Sequence, residues 1–66
     1  MVYLITMVAK AGSENKLASV FAETDKDLNT LNDISLFFDK FWSSLDKTKY
    51  KDYNKDNTMI TSMQKV

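Results

Sequence analysis

Apolar side chains recur at every second position in three stretches of this chain and at helical spacing in a fourth. In the first stretch Tyr3, Ile5, Met7 and Ala9 point one way, and Val2, Leu4, Thr6 and Val8 the other. Both sets are mostly apolar, which suits a central strand covered on both faces. Residues Ala11-Gly12-Ser13-Glu14-Asn15 hold the only glycine and predict a hairpin loop of three to five residues. A second strand is predicted from Lys16 to Thr24. Its Ala18, Val20 and Ala22 form a small-residue face that suits close packing under a helix. Its Leu17, Ser19, Phe21 and Glu23 form a mixed face, half exposed.

Further along, Leu31, Ile34, Phe38, Phe41, Trp42 and Leu45 recur at i, i+3, i+7, i+10, i+11 and i+14. At helical pitch these fall within a stripe about 100° wide, the width of a core-facing helix. Thr30 to Asp33 resembles a capping box with Asp in place of Glu, and Asn29 is a rival cap. Asn32, Asp39 and Ser43 make the opposite face, onto which Leu36 projects, while Phe37 lies on the flank of the stripe. Neither glycine nor proline marks the end of the helix, which is expected near Asp46–Lys49. The polar stretch from Asp46 to Asn57 reads as a loop or a short helical turn. Thr58 to Val66 alternates again and predicts a third strand, with Met59, Thr61 and Met63 on one side.

The order is β-β-α-β. A hairpin followed by a helical crossover places the two-faced first strand in the centre. The prediction is an α+β fold: a three-stranded antiparallel sheet of order 2-1-3 with one amphipathic helix on one face, forming a single small domain over residues 1–66. One helix cannot cover both faces of such a sheet. Val2, Leu4 and Val8 are therefore expected on an uncovered apolar face, a feature that marks contact with another protein or a second copy. Leu36 and Phe37 are candidate additions to that surface. The outer strands carry few charges, Glu23 and Lys65 among them, and free edges of this kind recruit further strands.

Composition narrows the chemistry. Nine lysines balance nine acids, and arginine, histidine, cysteine and proline are absent. Disulfides, Cys/His zinc sites, cysteine nucleophiles and histidine bases are thereby excluded. No cofactor motif and no metal site is expected. The remaining acid–base candidates, Glu23, Asp25, Asp27, Asp33 and Asp39, lie in segments expected to be exposed, and one helix on three strands leaves little volume for a pocket. A non-enzymatic protein is expected. A chain this short gains only about 3–5 kcal/mol from its core, so self-association is the expected support, and a homodimer the expected form. The apolar start, Val2 to Ala9, has no basic residue before Lys10 and is too short to span a bilayer, which reads as a strand of a cytoplasmic protein rather than a targeting or membrane segment.

Two acidic runs and one basic run were weighed as binding motifs. Asp25-x-Asp27-x-Asn29 and Asp52-x-Asn54-x-Asp56 begin like calcium loops. Thr30 and Asn57 then stand where glycine is required, and Leu36 and Met63 where a bidentate Glu closes the cage. Turn chemistry is the expected role of both. Lys47, Lys49, Lys51 and Lys55 interleave with Tyr50 and Tyr53, a small footprint for single-stranded nucleic acid. Asp46, Asp52 and Asp56 cancel most of that charge, which makes nucleic acid the second reading behind a protein partner. The lysine-only basic set with many asparagines suggests an AT-rich bacterial or phage genome, and an inhibitor or accessory protein as the subtype.

Overall fold

Gly12 and Ser13 alone make the first reversal of the chain. In the computed structural model, which describes residues 1–66, β1 runs Val2–Ala11 and β2 Glu14–Glu23. The turn thus has two residues where a loop of three to five was expected. Gly12 takes φ +67°, the one positive φ in the chain. A glycine in that region at the first central position is the pattern of a type II′ turn, whose twist matches that of the flanking strands. The tight turn lets both strands run on to meet it, which is why they extend past their predicted ends.

The sheet order is β2-β1-β3, with β1 antiparallel to both neighbours and β3 running Thr58–Lys65. This is the α+β arrangement that the alternation predicts. Pairing with β2 is regular from Val2↔Glu23 to Ala11↔Glu14. Pairing with β3 is interrupted: Thr6 faces Ser62 while Met7 faces Ile60, which leaves Thr61 as an extra residue. Its hydroxyl donates to the Thr6 carbonyl at 3.2 Å. This bulge breaks the simple period of β3 and puts Met59 and Met63 on opposite faces, where strict alternation would have kept them together.

The helix α1 spans Leu31–Ser44. Thr30 is its cap, with an extended backbone and a hydroxyl that accepts the Asp33 N–H at 3.1 Å. At the other end the Ser43 and Ser44 hydroxyls donate back to the carbonyls of Asp39 and Lys40, each at 2.7 Å. Leu45 turns extended, and the Asp46 carboxylate accepts the N–H groups of Thr48 and Lys49 at 2.9 and 3.1 Å. Serine back-bonding and an Asp-initiated turn thus end the helix before the expected Asp46–Lys49, without glycine or proline.

The core is Tyr3, Ile5 and Met7 of β1, Val20 of β2, and Phe37 and Phe41 of α1. Ile5, Met7 and Ala9 have no exposed surface. Phe37, 8% exposed, sits in the core with its ring 6.1 Å from that of Tyr3 and 6.3 Å from that of Phe41. Leu31, by contrast, is exposed, and Phe38 and Trp42 are half-buried. The helix is therefore turned from the orientation that its apolar stripe predicts, so that Phe37 rather than Leu31 enters the core. Leu28, two residues before the cap, packs against the core near the helix start, and Tyr50 and Tyr53 of the following loop join the same cluster. Cover from outside the helix frees α1 to direct the Phe37–Phe41 pair inward.

The loop itself is organised by asparagines. The Asn54 side-chain Oδ1 accepts the N–H groups of Asp56 and Asn57, and the Asn57 side-chain amide donates to the backbone carbonyls of Lys10 and Asp52. The second acidic run is therefore turn and anchoring chemistry, tying the loop to the end of β1.

Candidate protein-contact surface

With α1 on one face of the sheet, the other face shows its alternate residues to solvent. They fall into cross-strand rungs. Val8 stands between Leu17 and Met59, Leu4 between Phe21 and Gln64, and Thr6 between Ser19 and Ser62. The rung through Val8 is apolar throughout, and the one through Leu4 is apolar except for Gln64. The central one is hydroxylated, with the Thr6 and Ser19 oxygens 3.3 Å apart. Val2, Leu4 and Val8 do lie on this uncovered face, half-buried because neighbours flank the central strand on both sides.

The side chains that stand furthest out are Leu17, Phe21 and Met59, 72%, 71% and 69% exposed. Sequence reasoning left these three out of the contact set. The signal was present for two of them: with Ala18, Val20 and Ala22 read as the face under the helix, Leu17 and Phe21 must lie on the other side, where the two-residue turn sets them beside Val8 and Leu4. Met59 was not readable, because the bulge that directs it outward leaves no mark in the apolar pattern.

Leu36 is exposed, at 58%, but it belongs to the helix on the other side of the sheet and is not part of this patch. Phe37 is removed from the contact set, since its ring is spent in the core.

The Lys/Tyr loop lies apart from the open face. Tyr50 and Tyr53 pack edge to face, centroids 6.0 Å apart, and both lean on the core. Lys49 lies over the Tyr50 ring at 5.5 Å, and Lys47 donates to the Trp42 carbonyl at 3.3 Å. Lys51 and Lys55 are exposed. Both tyrosine rings are thus already engaged, which weakens the loop as a stacking platform for bases.

A cleft of about 720 Å³ opens between β2 and α1, lined by Val20, Ala22, Phe37, Phe41, Leu45 and Tyr50 among others. A cavity of this size was not expected from one helix on three strands. Its rim mixes Glu23, Asp25 and Asp46 with Lys40 and Lys49. The N–H groups of Lys49 and Thr48 hold the Asp46 carboxyl below the usual carboxylate range, so it stays ionised and already partnered. Seven of its fifteen lining residues are hydrophobic, so the cleft has mixed apolar and polar walls. Elsewhere three acids are paired: Asp52 with Lys16 at 2.8 Å, Asp33 with Lys26 at 3.1 Å and Asp27 with Lys65 at 2.7 Å. No group of three or more acidic, histidine or cysteine side chains gathers in a way that would hold a metal ion, and no helix is long and apolar enough to cross a membrane. No protein-family model matches this chain, and neither do curated proteins or solved structures.

Proposed function

We propose that this chain is a small non-enzymatic protein-interaction module that works by laying the bare face of its sheet against another protein surface. The observation that carries the reading is the pair of apolar rungs, Leu17–Val8–Met59 and Phe21–Leu4, held in register on a rigid three-stranded sheet with most of the outer side chains exposed. Scattered apolar residues on a surface mean little, but aligned rungs on one flat face are the usual signature of an interface. A role as an inhibitor or accessory protein fits a module of this size, which would act by occlusion and needs no chemistry of its own.

Titrations with an uncharged apolar dye and with a single-stranded oligonucleotide separate this reading from nucleic-acid binding. In amide-resolved spectra, the uncharged apolar dye Nile red is expected to perturb Leu4, Val8, Leu17, Phe21 and Met59. That pattern should persist when salt is raised from 50 to 500 mM, roughly a threefold shortening of the screening length. Val8→Lys should abolish the perturbation while leaving the circular dichroism unchanged. Perturbation by a single-stranded oligonucleotide centred on Lys47–Lys55, steeply lost with salt, would sink the proposal.

A further inference from the structure

The free edge of β2 carries a pattern that reads the same in both directions. Met1 and Thr24 exchange both backbone hydrogen bonds, at 2.8 and 2.9 Å. In an antiparallel ladder such pairs alternate with non-bonded ones, so the even residues of β2 spend their N–H and C=O groups on β1. The odd residues, Asn15, Leu17, Ser19, Phe21 and Glu23, direct theirs outward along an edge without proline, bulge or internal charge between Leu17 and Ala22. Native edges are commonly protected by one of those devices, and here none is present in that segment.

We propose that this edge pairs with the same edge of a second copy, antiparallel and centred on Ser19, to form one six-stranded sheet. The proposal rests on the reading of the chain as a protein-contact module and names the partner as the chain itself. The register follows from the residues. Two copies related by a two-fold axis normal to the sheet keep their faces, so odd residues must oppose odd residues. Centring on Ser19 sets Leu17 against Phe21 of the second copy twice over, Ala18 against Val20, Lys16 against Ala22 and Asn15 against Glu23. No like charges oppose each other. Centring on Val20 instead sets Leu17 against Glu23, and centring on Ala18 sets Lys16 against Val20; both lose the apolar match.

The same register joins the rungs of the bare face. Met59, Val8 and Leu17 of one copy continue into Phe21 and Leu4 of the other, twice, about a central row of Ser62, Thr6 and Ser19 hydroxyls. The two patches of the monomer become two continuous stripes. On the helix side, the clefts of the two copies, each lying between its own β2 and α1, meet across the new pairing. Zero net charge removes any long-range repulsion between copies. Edge pairing is a contact of modest area, and a dissociation constant of roughly 0.1 mM is expected.

Hydrogen exchange at single amides, followed from about ten micromolar to one millimolar chain, tests this directly. The Leu17, Ser19 and Phe21 amides should exchange freely when dilute and gain protection as sedimentation velocity shows the dimer forming. Leu17→Lys should keep the protein monomeric over that range, whereas Met59→Lys, equally exposed on the same face but on the far strand, should leave the dimer intact. A dimer in which those three amides stay unprotected and Met59→Lys causes dissociation would overturn edge pairing while leaving the face reading intact. A chain that stays monomeric to one millimolar overturns edge pairing too, and the dye titration then decides the face reading on its own.

Discussion

Gly12 and Thr30 are single residues on which whole elements depend. A Cβ added at Gly12 meets nothing within 4 Å, so Gly12→Ala is penalised by backbone strain alone. A loss of about 1–2 kcal/mol is expected in urea unfolding. Thr30→Ala removes the oxygen that satisfies the Asp33 N–H, and a similar loss of about 1 kcal/mol is expected, recovered by Thr30→Ser. The ion pairs set the pH range of stability. Lys16 beside Asp52 lowers that carboxyl's pKa from 3.8, Lys26 lowers that of Asp33, and the Lys49 and Thr48 amides lower that of Asp46. Stability from these groups is complete above 3.8 and is lost as pH falls below it. The Asp52 carboxylate raises the pKa of Lys16 from 10.5, and Asp27 does the same for Lys65, so that stability is complete below 10.5 and is lost above it. Urea midpoints should therefore form a plateau between about pH 5 and 9 with shallow falls on either side, shallower still in 0.5 M salt, because all of these pairs are solvent-exposed. A midpoint that rises on acidification below 3.8 would contradict the pairing.

At the scale of elements, the strands were legible because alternation is a local signal, and the pairing of β1 with both neighbours followed from its two apolar faces. The helix was legible in extent but not in rotation. Its stripe was drawn from α1 alone, whereas the choice between Leu31 and Phe37 depends on Leu28, Tyr50 and Tyr53, which reach the core from flanking loops. Periodicity cannot weigh neighbours that it does not contain. The same limit hid the Thr61 bulge, and with it the outward turn of Met59 in the contact surface. The rotation makes a sharp prediction: Phe37→Ala should lose about 3–5 kcal/mol, while Leu36→Ala, one residue away, should stay within about 0.5 kcal/mol of the parent. Within β1, Ile5→Val should lose about 0.5–1.5 kcal/mol and Ile5→Ala enough to unfold the isolated domain, as judged by circular dichroism at 25 °C.

For the molecule as a whole, the allocation of surface matters more than any one contact. Seven residues are buried, all apolar, and no buried side-chain polar atom lacks a partner. The interior is thus complete in chemistry but small. Large apolar side chains remain outside it at Leu17, Phe21 and Met59, and these face away from the helix. A chain optimised as an isolated monomer would gain by making those positions polar. Replacing all three with threonine should leave the unfolding midpoint of dilute protein within about 0.5 kcal/mol of the parent, since surface substitutions seldom do more. The same triple change should remove the dye-binding face, a loss readable by fluorescence titration.

The extra residue in β3 has one more effect. A strand kinked by an insertion twists away from the plane in which a neighbour would have to lie, so the Thr61 side of the sheet is a poor template for growth. The straight margin can recruit and the kinked margin cannot, which gives the ribbon a polarity of ends. If the β2 margin pairs as proposed, the assembly is expected to close after one addition rather than lengthen into a fibre.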